Sequence, residues 1–150
     1  DAGPYAAFGA PVIPDRIAGR GAPGGLHAAL AASRTPWVFT AGCDMPFLSA
    51  EAMRWLWARR GDAPAVAVVW RGQLQPLHAY WSRGCLPTVE RLLSGGQPSM
   101  WQLATAVGAR LLGEAAWREI DPGGRAFENV NTPEEAARLG LEVPPPLRST

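Results

Sequence analysis

The 150-residue chain is poor in the side chains that enzyme chemistry uses most often. It has two cysteines, Cys43 and Cys85, and two histidines, His27 and His78. Two cysteines build no disulfide framework, and their scarcity points to a reducing compartment, read here as the cytoplasm. Neither histidine stands at a metal-ligand spacing from a cysteine or from the other, so both are expected as packing or surface residues. No Ser/His/Asp or Cys/His arrangement can be assembled, so nothing argues for a nucleophilic triad. No apolar run approaches the ~20 residues of a membrane span. A balance of 14 basic and 13 acidic residues offers neither a nucleic-acid surface nor a polybasic membrane patch.

What is plentiful is glycine and proline, 17 and 15 residues, which predicts many short turns. Hydrophobic residues make up 47%, enough for a packed core rather than a disordered chain. There is no internal repeat and no linker. One domain is expected over 1–143, followed by an extended tail over 144–150 that opens with three prolines. The chain starts at Asp1 without an initiator Met or a signal-peptide pattern, and a domain incomplete at its N-terminus is the expectation.

Hydrophobic patterning predicts buried strands alternating with helices. Residues 10–14 suit a brief strand bounded by Pro11 and Pro14. A glycine-rich loop over 19–25 leads into an alanine-rich helix over 26–33. Residues 37–43 and 65–70 are apolar without alternation, as in strands covered on both faces. Ser49 caps a helix over 50–60 with Ala52, Met53, Leu56 and Trp57 on its stripe. Arg71-Gly72 turns the chain into an antiparallel return over 74–81, and Pro87 and Ser99 open two further helices. Residues 117–121 are expected as an edge strand. Thr132-Pro133-Glu134-Glu135 forms a capping box for a last helix that Gly140 ends. The sum is an α/β layered fold with a mainly parallel sheet, whose ligands bind beyond the carboxyl ends of the strands.

That rule singles out a few residues. Asp44 directly follows a buried run and lies five residues before the better helix cap, Ser49. Two readings are open for it: a Mg²⁺ carboxylate acting with substrate phosphates, or an Asp that stabilises its own turn. Asp15 offers several acceptor sites to a base or ribose, or is a turn residue. The 19–25 glycines either let backbone N–H groups approach a ligand or make a tight turn; no Gly-Lys-Ser/Thr follows, so this is no Walker loop. Asn129 and Asn131, two apart, would face one way on an extended segment and present amides to a flat heteroaromatic edge, or would only tidy the turn before a helix.

Taken together, these segments resemble the molybdenum cofactor guanylyltransferases (MobA-type). Val12-Ile13-Pro14-Asp15 looks like the family's V-I-x-D, and Gly19 to Leu30 resembles its G-x-G-P-L-x-G-L stretch, with Ala22-Pro23 in place of the usual Pro-Leu. Cys43 to Leu48 is similar to C-D-x-P-[FY]-[LI], and Phe127 to Glu135 to F-x-N-V-N-T-P-E-[ED]; Gln75-Pro76 adds a weaker [HQ]-P match. The resemblance spans roughly residues 5–140.

It implies a three-layer Rossmann-like nucleotidyltransferase fold with an antiparallel element. It implies Mg²⁺ on a catalytic Asp44, a guanine nucleotide against Asp15, Gly24, Gly25 and Asp44, and molybdopterin against Asn129 and Asn131. The implied reaction joins GMP from GTP to molybdopterin and releases pyrophosphate, with cofactor delivery or acceptor proteins as further partners. The family's opening L-A-G-G-x-S-x-R-M-G-x-D-K motif is nowhere in the 150 residues, so the expectation is a chain without the first strand and phosphate loop, inactive alone. Alternatives are a cytidylyltransferase or sugar-nucleotide pyrophosphorylase of the same superfamily, or a non-catalytic molybdopterin-binding domain.

Overall fold

The computed structural model of the chain describes Gly9 and residues 11–142. The tail over 144–150 therefore lies outside the described residues. Four strands form one sheet: β1 (Trp37–Ala41), β2 (Ala65–Trp70), β3 (Gln73–Ser82) and β4 (Arg110–Leu112). Six helices accompany them, α1 (Gly21–Ala32), α2 (Ala50–Ala58), α3 (Leu86–Gly95), α4 (Met100–Ala106), α5 (Glu114–Trp117) and α6 (Pro133–Arg138).

The strand order is β1-β3-β2-β4. Both β1 and β2 pair with β3 antiparallel, and β4 pairs with β2 parallel. Three strands thus run one way and the reversed β3 sits between two of them, so the described sheet is mixed, with two antiparallel pairings and one parallel. Alternation along β2 builds the three layers. Ala65 and Ala67 face one core with Leu26 and Leu30 of α1, Val89 and Leu93 of α3, and Leu103 of α4. Val66, Val68 and Trp70 face the other, with Trp55 and Leu56 of α2 and Trp117 of α5. The small alanines on the first face let α1 approach the sheet closely.

A tight hairpin joins β2 to β3. Arg71 and Gly72 both take left-handed backbone angles, φ 50° and 75°, as a two-residue turn between twisted strands demands. Farther along β3, Pro76 has no N–H for a ladder, and the register against β2 shifts there: Val66 faces Tyr80 while Val68 faces Gln75. The displaced stretch still pairs with β1 through Ala79 and His78. Thr40 holds it, its hydroxyl donating to the Pro76 carbonyl at 2.8 Å and accepting from the Trp81 indole at 3.2 Å.

Five expectations are corrected. Residues 11–14 form no strand, and Val12 and Ile13 are 41% and 47% exposed. Pro11 and Pro14 cannot donate to a ladder, and no described strand lies beside them. The helix expected from 26 begins at Gly21, because Pro23 falls in the first turn, where a missing N–H costs nothing. Strand β1 exists but is half-buried, since among the described residues only β3 pairs with it. On α2 it is Trp55, not Met53, that is buried, packed edge-on against Trp117 with ring centroids 5.4 Å apart. The edge strand is β4, and residues 117–121 instead finish α5 and turn; a Glu114–Arg118 ion pair at 2.7 Å bridges one helical turn there.

His78 lies at the floor of the second layer. It is fully buried, ringed edge-on by Phe39, Trp117 and Phe127 at 5.2–5.4 Å, and neither ring nitrogen has a partner among the described residues. Burial pulls its pKa down to about 4 from 6.5, only partly offset by the Asp121 carboxylate. Between those values the unfolded chain holds a proton that the folded chain does not. Stability is therefore expected to fall as pH drops from about 6.5 towards 4, by up to about 3 kcal/mol. Urea unfolding at stepped pH checks this, and His78→Leu should flatten the profile over that window.

Candidate functional site

The site gathers where β1 ends. Gly42 and Asp44 follow the strand, and the Asp44 carboxylate folds back over Gly42, so that a Cβ there would overlap Asp44 Oδ1. The Met45 side chain, buried, fills the space beside it and its Sδ accepts the Gly42 N–H at 3.3 Å. Gly42 is thus the residue that makes room for this carboxylate, a role the sequence motif alone did not reveal. Asp44 is half-buried, and its carboxylate accepts no hydrogen bond from the described residues. Among the described residues nothing engages its oxygens.

The Asn129-Val130-Asn131 segment lies directly beside this loop. Val130 donates its N–H to the Asp44 carbonyl at 2.8 Å, joining two segments far apart in sequence. Both asparagine side chains are exposed. Asn129 lines an open cleft of about 400 Å³ with Glu128, Glu135, Arg138 and Leu139; Asn131 is outside that lining. The segment is anchored by α6. Thr132 caps the helix by accepting the Glu135 N–H at 3.2 Å, and the Glu135 carboxylate accepts from Asn131 N–H at 2.8 Å. The expected capping box is therefore displaced by one residue, since its second arm ties down Asn131 rather than Thr132.

Asp15 and the glycines form a second group. Asp15 is exposed, and Gly24 is buried beneath it: a Cβ at Gly24 would lie 3.3 Å from Asp15 Oδ2 and 3.0 Å from the Arg20 Cβ. Gly24 thus permits the 15–20 segment to lie against α1, and its N–H already bonds to the Arg20 carbonyl. Gly25 is exposed, with open space above it. Gly19, Gly21 and Gly24 carry the spacing G-x-G-x-x-G, yet no described strand precedes them and two of them lie within the helix, so this is no dinucleotide loop. Asp15 makes no hydrogen bond to the Asp44 loop among the described residues.

Sequence reasoning missed Asp121, Phe47 and Arg125. The Asp121 carboxylate accepts three N–H groups, from Arg125 at 3.0 Å, Ala126 at 2.9 Å and the Trp117 indole at 3.3 Å. Gly124 follows with φ 72° and packs so closely on the Trp70 ring that any side chain there would collide with it. The turn ends with the Arg125 guanidinium 4.1 Å above the centre of the Phe47 ring. The signal was the spacing Asp121-x-x-Gly124-Arg125, an acid placed to cap a turn.

No group of three or more metal-ligating side chains occurs among the described residues. A lone free carboxylate still suits Mg²⁺, which takes one or two carboxylates and completes its shell with phosphates and water. Nor is any helix there long and apolar enough to cross a membrane.

Strands capped by an unengaged acid, with polar amides docked next to it, place the chain among α/β domains that take small polar ligands beyond the strand ends. It belongs to the family described as MobA-like NTP transferase domain, which matches residues 1–110. The chain is 28% identical over 135 residues to the molybdenum cofactor guanylyltransferase of Syntrophotalea carbinolica, covering 89% of this chain and 64% of that protein. It is 30% identical over 140 residues to the one from Desulfosudis oleivorans, covering 93% and 69%. Among solved structures, molybdopterin-guanine dinucleotide biosynthesis protein A from Archaeoglobus fulgidus superposes with a TM-score of 0.66 at 25% identity, covering 89% of this chain and 68% of that one. An Aquifex aeolicus protein shares the fold, with a TM-score of 0.70 at 21% identity, covering 85% and 65%. The chain thus spans about two thirds of the length of these relatives.

The two thiols differ in access. Cys43 is exposed beside Asp44, whereas Cys85 is buried, with its Sγ donating to the Pro64 carbonyl, and burial pushes its pKa up to about 11. A thiol reagent is expected to modify one cysteine in the folded protein and two in denaturant. Peptide mapping should find the native label on Cys43.

Proposed function

We propose that the protein this chain represents is a cytoplasmic guanylyltransferase that moves GMP from GTP to molybdopterin and releases pyrophosphate. One observation carries the reading: the unpartnered Asp44 carboxylate at the end of β1, tied through its own carbonyl to the Asn129–Asn131 segment. Asp44 is the residue that would hold Mg²⁺, which when bound neutralises charge as two anionic reactants meet. Asp15, which lies against Gly24 of α1, would accept hydrogen bonds from a guanine nucleotide, with the exposed Gly25 next along the helix. Asn129, on the 400 Å³ cleft, and Asn131, fixed by Glu135, present amides to the pterin. The names borne by the relatives support this assignment.

The chemistry asked of these residues is positioning and electrostatics, which agrees with the lack of a nucleophilic triad. The first test needs only the chain itself. Mn²⁺ bound in the presence of GTP, followed by electron paramagnetic resonance, should weaken at least about tenfold in Asp44→Asn. Equal Mn²⁺·GTP binding by both proteins would defeat the metal role. At the length the relatives have, the same substitution should lower pyrophosphate release on the order of 100-fold. Equal use of GTP and CTP there would defeat the guanine assignment.

A further inference from the structure

Two segments meet at the acid loop, and the bond between them is a single backbone contact, Val130 N–H to the Asp44 carbonyl. Half-buried loop contacts of this kind open more readily than those of core strands unless side chains hold the flanking turns together. Phe47 and Arg125 supply such a clamp. Phe47 belongs to the acid loop, three residues beyond Asp44, and Arg125 precedes Asn129 by four. The Arg125 guanidinium carbon lies over the Phe47 ring, 4.1 Å from its centre.

Arg125 is exposed and makes no ion pair among the described residues, although the Glu51 and Asp121 carboxylates line the same cleft. Its backbone is fixed from below: Asp121 accepts the N–H groups of Arg125 and Ala126, and Gly124 seats the turn against Trp70. Phe47 and Arg125 line the same cleft of about 220 Å³, together with the cap Ser49, Glu51 and Ala52 of α2, and Ile120, Asp121 and Ala126. The aromatic face attracts the cation, and the cleft leaves the guanidinium partly hydrated.

We propose that Arg125, held by Asp121 and seated on Phe47, is a positioning residue that sets the spacing between the Asp44 loop and the Asn129–Asn131 segment. It acts through Phe47 and touches neither substrate nor metal. The proposal deepens the guanylyltransferase reading by naming what aligns its metal acid with its amide segment, and the alignment itself exists whether or not that reading holds.

Amide hydrogen exchange of the unliganded chain, resolved by residue, reads the clamp at Val130. In Arg125→Met, Val130 exchange should speed up at least about threefold, while amides in the middle of β2 keep their rates. Arg125→Lys keeps the cation and should restore at least half of the protection. Arg59→Ala is the control, because it removes a similar stack, 4.0 Å above Trp55 at the end of α2, together with an ion pair to Glu119, without touching the acid loop. It should leave Val130 unchanged.

Unchanged Val130 exchange in Arg125→Met would overturn the proposal, as would equal loss in Arg59→Ala or a uniform rise across β2. Should Arg125→Met fold poorly, Phe47→Leu provides the same readout from the other side of the stack, with the same expectation. A wild-type chain that binds no Mn²⁺ with GTP, yet loses Val130 protection in these variants, would sink the metal reading and leave the clamp standing.

Discussion

The hydrogen bond from Val130 N–H to the Asp44 carbonyl is the constraint on which the site turns. Without it, the acid at the end of β1 and the two asparagines before α6 would be separate surface features. A single backbone bond is worth only about 1 kcal/mol, so it cannot hold the arrangement by itself. Its neighbours do. Met45 anchors the loop from the core side, α6 fixes Asn131 through Glu135, and the Asp121 turn closes against Trp70. Each is a local device with its own partner, and together they restrict the bond to one geometry.

Beneath that surface, aromatic packing bears the layer on the α2 side. Phe39, Trp117 and Phe127 each meet His78 edge to face, and Trp55 adds to Trp117 from α2. Large flat side chains give wide contact with few rotatable bonds, which suits a floor under a site that has to stay still. The opposite layer is built mostly from alanines and leucines around a single buried tryptophan, Trp81, and there α1, α3 and α4 approach the sheet closely. His78 is the exception in this floor, a polar ring kept neutral by its surroundings. Its place in the bulge of β3 follows from Pro76, which breaks the ladder to β2 and turns the stretch over to β1.

Much of the fold was legible because it rests on short-range rules. The apolar run over 65–70, the Arg71-Gly72 turn, and the caps Ser49, Ser99 and Thr132 each act within a few residues, and each appears where those rules put it. The misreadings share another cause. Val12-Ile13 had a strand's composition but no described partner to pair with, and 117–121 lost its strand to a helix whose Trp117 had a core to fill. Pro23, which reads as a loop residue in isolation, is harmless in the first turn of α1. In the site, Asp44, Asp15 and the asparagines stood out by position, while Asp121 and Arg125 did not, because their roles depend on Trp117 and Phe47.

By itself the chain of residues determined that an acid would sit at a strand end and that paired amides would precede a capped helix, since both follow from local periodicity and turn chemistry. Only the folded arrangement decided that the returning β3 would insert between β1 and β2, that Gly42 would make room for the Asp44 carboxylate, and that Val130 would bond to Asp44. Those outcomes depend on contacts between segments distant in sequence. Such contacts are selected by which surfaces fit when the layers close, and no window of neighbouring residues encodes that fit.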